Sequence, residues 1–482
     1  MSSIKRFIPI ACLIVIVLDI AYSFYQHSHT SLGGDLAQVV VIDSNQGDFQ
    51  VLQHPFGISD ESYANPNRFF AHWFTAVYFK NVPLLLQHFV SPIQSVYLAS
   101  AIAKTGIQVI LIYLLSVFIT SSTKAISKNN LLAAVLVFPF FQTHGFNRYM
   151  GIIDQSVVYT FFYALPFCFL LVFYLPLYQK YILHQKFINN YQLSFLFLLP
   201  PVLTLSGPLL PGVILIITLL CLLACLRYFF CQSDKPTILY ISNFCRKYWC
   251  PISLFVFVSL FSLYSLYIGQ SSSLNPVDAI GIAERFSNLP KGLFNLVTRK
   301  LGLPILLIFV GINYLLLNKS SQSLIKYRLI QFYKWIFLFS IIYLILLPFG
   351  GYRIYRPNII RYDTFIPITL SLIFLFASTT YYLIRHSSKN FQRIYIPLVL
   401  FTLLIYINAD RLKSQHFYCE RDALKELSQA TEEPYLLKNN CTVMEWQILD
   451  KPEKSKLNAG LFNYWNITKK KRLYFQSKEL EN

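Results

Sequence analysis

The sequence predicts a mainly α, polytopic helical membrane protein. About eleven transmembrane helices are expected, with interfacial helices in a long first outer loop and a small α/β C-terminal domain outside the membrane. Three observations predict this. Of the 482 residues, 55% are hydrophobic and only 13% charged, a balance that excludes a soluble chain. The apolar residues fall in runs of roughly 15–25, long enough to cross a bilayer as helices. Short basic connectors separate these runs, and beyond residue 409 the composition turns polar.

The first run, Phe7–Tyr25, follows Lys5 and Arg6. Asp19 lies inside it and no small-residue cleavage site follows, so it reads as an uncleaved helix rather than a signal peptide. The next spans are expected at Val96–Ile119, Leu131–Phe141, Ile152–Tyr178, Leu193–Leu205 and Leu209–Phe230. Pro251–Ile268, Leu303–Leu317, Trp335–Pro348, Thr364–Ile384 and Ile394–Asn408 complete the series. Leu131–Phe141 and Leu193–Leu205 are short for a crossing and also read as re-entrant or paired segments. Residues 1–408 thus form the transmembrane domain, with 26–95 as its first outer loop, and 409–482 form the C-terminal domain.

Orientation follows from the Lys/Arg bias of short loops. With the N-terminus in the cytoplasm, the cytoplasmic connectors carry residues such as Lys124, Lys128, Lys186, Arg246, Lys326, Arg385 and Arg393, against a single acid, Asp234. The acids outside the tail then lie almost all at the outer side, and the tail itself is extracytoplasmic. A multi-pass protein of a bacterial inner membrane is the expected setting. Much of the net charge of +19 is this inside bias. Nucleic acid is not expected as a partner, since there is no Lys/Arg-rich arm, zinc-ligand spacing or RNA-binding signature.

Cysteine placement agrees with two compartments. Only Cys419 and Cys441 fall in the outward tail, where a disulfide between them is a candidate beside two free thiols. In the same tail, Arg421–Ala430 reads as an amphipathic helix, and Thr442–Leu449, Leu461–Ile467 and Arg472–Gln476 read as strands.

Chemistry is concentrated in two outer segments. In the first, Gly33 and Gly34 permit a tight turn that leaves Asp35 near the membrane surface. A carboxylate there suits a general base, with Asp43 and Asp48 as further candidates; equally, acids in a polar loop are simply solvated. Paired with Asp43, Asp48 or a histidine, Asp35 also reads as a metal ligand, but the spacing of Asp35, Asp43 and Asp48 fits no metal-loop motif, so no cofactor is expected and a divalent metal stays open without being indicated. Asn67–Phe79 and Val82–Val90, the second containing Pro83, read as two interfacial helices. Arg68 and His72, four apart on the first, are candidate substrate-binding residues, His72 also reading as a structural interfacial histidine. The second segment is GGYRIYRPNIIRYD, Gly350–Asp363. Its Arg353, Tyr355, Arg356 and Arg361 suit a phosphate or diphosphate headgroup, because guanidinium forks pair with phosphate oxygens and tyrosines pack on lipid or sugar. Anchoring to anionic lipid explains them as well. An amphipathic segment at 275–300 is placed to cover the same region.

This layout resembles the GT-C superfamily of polytopic membrane glycosyltransferases. The resemblance rests on a helix leaving the cytoplasm, an acid soon after it in a long outer loop with interfacial helices, arginine-rich later loops and an outward C-terminal domain. It lies in topology across the whole chain rather than in residues. GGDLAQ carries a lone acid where the family has a paired Asp-Glu or Asp-Asp. The resemblance implies a polyprenyl-phosphate-linked sugar donor, an acceptor of unspecified class, a membrane lipid environment, Asp35 as catalytic base and Arg353–Arg361 at the phosphate. A transporter or lipid flippase, or a non-catalytic protein of cell-surface polysaccharide assembly, stays open beside it. The break at Ser206, Gly207, Pro208, Pro211 and Gly212 is the strongest sign for transport. Asp19, Lys104 and Asp154, the main charges within the spans, all lie towards the outer side.

Overall fold

The computed structural model describes residues 2–41, 66–141, 144–146, 150–184, 189–232, 238–270, 272, 280–350 and 358–476. Helices dominate. Among the described residues, nine are long and apolar enough to cross a membrane. They lie in α1 (Ser2–Ser28), α4 (Pro92–Thr120), α6 (Val157–Ile182), α8 (Leu209–Gln232), α10 (Trp249–Gln270), α12 (Gly302–Lys319), α13 (Leu324–Leu346), α14 (Ile366–His386) and α15 (Lys389–Ala409). The two runs marked as short in sequence are the shorter helices α5 (Lys128–Val137) and α7 (Asn190–Thr204).

Contacts show where the ends of these short helices lie. At the start of α5, Asn129 Oδ1 meets the guanidinium of Arg385 at the end of α14, 3.2 Å away. Just beyond its end, the His144 amide donates to Asp410 Oδ1, 2.9 Å away, past the end of α15. Likewise α7 ends where the Phe70 amide, on the first loop, donates to Leu205 O at 3.0 Å. The first loop and the tail therefore share one end of the bundle, here called the loop end.

Local signals set the helix ends. Ser91 accepts from the Gln94 amide with Pro92 at the first helical position of α4, Asn189 and Gln192 form a reciprocal capping box on α7, and Ser323 and Ser388 cap α13 and α15. The bundle centre is α14, α6 and α4, whose apolar windows are 83%, 72% and 61% buried, whereas α1 at 11% lies at the rim. Lipid gives helices no hydrophobic drive to associate, so polar bonds contribute to their register. Asn313 on α12 donates to Thr380 on α14 at 2.9 Å and accepts from the Tyr395 hydroxyl of α15 at 2.7 Å.

In the first loop, α2 (Leu36–Val40) is followed by α3 (Phe69–Leu86), which runs through Pro83 as one helix where two were expected. A proline inside a helix has no N–H for the carbonyl four residues back, here that of Phe79. The indole of Trp465, in the tail, supplies the missing donor: its Nε1 lies 2.8 Å from Phe79 O. Between α8 and α10 lies α9 (Ile238–Lys247), and α11 (Ile282–Thr298) is strongly amphipathic. Arg285 of α11 donates to the carbonyls of Pro348 and Gly350, both at 3.2 Å, so this helix lies against the loop that leads to Arg361.

The tail holds α16 (Gln415–Gln429), β1 (Tyr435–Leu437), α17 (Lys456–Tyr464) and β2 (Tyr474–Gln476). The strands pair in parallel, with Tyr435 opposite Tyr474. Two expected strands are absent: Thr442–Leu449 is irregular, and most of Leu461–Ile467 belongs to α17 and the turn after it. The spacing of buried Leu461, Phe462 and Trp465 is helical, one face turned to the core, and that periodicity overrides aromatic content as a strand signal. Cys419 and Cys441 are joined by a disulfide, their Cα atoms 6.1 Å apart. Beside it, the buried Glu420 carboxylate accepts from the Leu32 amide at 3.0 Å, the Tyr97 hydroxyl at 2.9 Å and the Met444 amide at 3.0 Å. One tail side chain thus binds the first loop, α4 and its own domain together.

Candidate functional site

Asp35 sits where three segments converge. Gly33, at φ +86°, brings the chain so close to the turn before α6 that a Cβ would lie 2.7 Å from Ser156 Oγ. A Cβ on Gly34 would lie 2.5 Å from the Trp446 ring and 2.6 Å from its backbone nitrogen. Both glycines are thus required by close approach. Asp35 precedes the first turn of α2, but its side chain makes no cap there. Instead Oδ1 accepts from Trp446 Nε1 at 2.8 Å.

From Trp446 a line of contacts runs to the arginine loop. Its ring stacks on Tyr159, with centroids 5.8 Å apart and planes at 22°. Tyr159 meets Tyr163 edge-on at 6.0 Å, and the Tyr163 hydroxyl donates to Asp363 Oδ2 at 3.3 Å. Arg361 then grips Asp363 through Nε (3.0 Å) and Nη2 (2.8 Å), a bidentate pair with Asp363 fully buried and Arg361 part exposed. The α6 segment that carries these tyrosines is not regular α-helix. Thr160–Ala164 forms a π-helical turn, an insertion that recurs at functional sites because it re-aims side chains.

A second acid and a buried lysine lie behind this line. Lys104, on α4, is wholly buried and donates from Nζ to Gln155 O at 2.9 Å, facing Asp154. Asp154 Oδ1 accepts from the Ser156 amide at 2.8 Å, and its carboxylate is hydrogen-bonded by Tyr362. Burial pushes the Asp154 carboxyl up, opposed by the Ser156 amide and the Lys104 charge. Gln155 reaches His144 at 3.1 Å, and His144 reaches Asp410. Beyond them a cavity of about 20 Å³ is lined by Asp19, Tyr22, Ser23 and Asp410, room for about one water.

Of the candidates named from sequence, Asp35 and Arg361 are connected only through Trp446, Tyr159, Tyr163 and Asp363. Asp43, Asp48, Arg353, Tyr355 and Arg356 lie outside the described residues. Arg68 and His72 both face Phe162, in the π turn: the guanidinium is 5.3 Å from the ring centroid and the imidazole 4.7 Å. His72 is buried, and burial lowers its pKa to about 3, so it is neutral at physiological pH. Among the described residues no group of three or more His, Cys, Asp or Glu side chains is placed to hold a metal ion.

Trp446, Tyr159, Tyr163 and Asp363 were not candidates from sequence. Asp363 ends the arginine stretch and carried the one available signal. Trp446 is 411 residues from Asp35, and no local pattern connects them. Compared with family models, curated proteins and solved structures, the chain matches none.

Proposed function

We propose that the protein is a membrane glycosyltransferase that uses a polyprenyl-phosphate-linked sugar at the extracytoplasmic face. The observation that carries this reading is the continuous contact line from the Asp35 carboxylate, through Trp446, Tyr159 and Tyr163, to the Asp363–Arg361 pair. A carboxylate and a guanidinium linked in this way support the reading, because transfer from a lipid phosphate needs a base and a cation.

In this reading Asp35 takes the proton of an acceptor hydroxyl, whose oxygen attacks the anomeric carbon. The bond from that carbon to the lipid phosphate oxygen breaks, with inversion, and the electron pair leaves on the phosphate. Arg361 receives this charge, and Asp363 holds its Nε–Nη2 edge, orienting it.

The test is Asp35→Asn, which keeps size and removes basicity. Product should fall by roughly 100-fold or more, the scale of a lost general base, while insertion and polyprenyl-phosphate binding persist. Full activity in that variant would move the base elsewhere. A second reading, transport, is favoured by the polar chain Asp154, Lys104, Gln155, His144 and Asp410, which leads towards Asp19 within α1. It gains ground if no glycan or glycolipid changes when Asp35 and the loop arginines are replaced.

A further inference from the structure

Trp446 is an unusual tryptophan for its place. The residue is 55% exposed, with Tyr159 and Gly34 against its ring, yet the backbone beneath it is held firmly. The Met444 amide is bound by buried Glu420, and buried Asn458 donates to the Val443 carbonyl at 3.3 Å and to Glu445 Oε1 at 3.2 Å. Met444 itself has φ +49°, a conformation that costs a non-glycine residue energy and that recurs where structure is shaped for a ligand. One side of the indole rests on Tyr159 and its N–H on Asp35. A second carboxylate, Glu445, is next to it in sequence and half-buried; burial raises its pKa, opposed by the Asn458 hydrogen bond and added to, more weakly, by the Asp35 charge.

We infer that the open face of Trp446 is a platform for a pyranose ring, which it holds with a hydroxyl against Asp35. The inference rests on the glycosyltransferase reading and names the part of that site which binds sugar. A pyranose presents C–H groups on its face and hydroxyls around its rim. The C–H dipoles suit the negative face of an indole, and the hydroxyls suit the Asp35 carboxylate at the indole edge. An acyl chain has no donor for that carboxylate and would leave it facing hydrocarbon. Because the platform is fixed before ligand arrives, little ordering cost falls on binding. The Trp446 N–H has a second role as a positioning group, since it holds Oδ1 of Asp35 and leaves Oδ2 to act on the hydroxyl.

The experiment is saturation-transfer NMR on the full-length protein in detergent, with methyl β-glucopyranoside, methyl α-mannopyranoside and N-acetylglucosamine as probes and tetramethylammonium as the competing cation. Ring C–H signals are expected from at least one pyranoside with the wild type and with Asp35→Asn. Trp446→Phe keeps a π face and should retain them, while Trp446→Ala should weaken binding roughly 2- to 10-fold, the range for a lost aromatic stack. Trp446→Leu fills the same ground against Tyr159 without a π face, and replaces alanine if alanine lowers the melting temperature. Trp446→Phe should also lower kcat with KM little changed, because the N–H to Asp35 is gone. The platform is overturned if no pyranoside gives a signal, if Leu or Ala leaves the signal intact, or if only tetramethylammonium shows a Trp446-dependent signal. Trp446-dependent sugar binding without any transfer product would keep the platform and sink the transferase reading. Transfer lost in Asp35→Asn, with sugar binding indifferent to Trp446, would sink the platform alone.

Discussion

Replacing Glu420 by alanine removes the acceptor for three buried donors at once: the Leu32 and Met444 amides and the Tyr97 hydroxyl. Each buried donor left without a partner costs about 1–3 kcal/mol. Water entering the vacated volume offsets part of the sum, so a total of about 3–5 kcal/mol is expected. Glutamine keeps one acceptor oxygen and sets its NH₂ against a donor, so Glu420→Gln should lose about 1–3 kcal/mol. Hydrogen exchange in nanodiscs reads this directly. The Leu32 and Met444 amides should exchange roughly 10²- to 10⁴-fold faster in Glu420→Ala, with Glu420→Gln in between. Exchange at both amides within about threefold of wild type would refute the reasoning, because the tail would then be docked by other contacts.

Two further outcomes follow from the packing. Burial holds the His72 pKa near 3, against about 6.5 unfolded, so the unfolded state takes up the proton first as pH falls. The stability this contributes is complete above about pH 6.5 and shrinks by about 2 kcal/mol at about pH 5; His72→Phe should remove that slope, and equal slopes in thermal melts of the two proteins would reject it. In intact cells an impermeant maleimide should label both Gln38→Cys and Lys456→Cys, and Lys389→Cys only after permeabilisation. Reaction at one of the first two alone would mean that the loop and the tail lie on opposite sides.

The spans are legible because hydropathy is a local property and lipid demands an unbroken helix of sufficient length. Even the weak points were local: the two short runs are the two helices below full length. The proline helix misled for the same reason, since Pro83 breaks a helix unless something distant donates to the Phe79 carbonyl, and Trp465 is distant. The site divides likewise. Asp35 stood out by composition and by the glycines before it, and Arg361 by its stretch of arginines and tyrosines. Their connection depends on Trp446 and on a π turn in α6, both products of tertiary packing that periodicity does not encode. His72 shows the converse. Its spacing from Arg68 suggested either a binding face or a structural histidine, and the buried imidazole lies against Phe162.

The bond between Trp465 and Phe79 joins positions 386 residues apart. At a synthesis rate of about 5–20 residues per second, roughly 20–80 s separate the appearance of the carbonyl from that of its donor. Through that interval the first loop exists without the group that completes its helix, and Asp35 exists without Trp446. The arrangement around Asp35 therefore waits until the segment carrying Trp446 and Trp465 has been made and has reached the first loop, so a chain cut short before Trp446 carries its aspartate but not the shape around it.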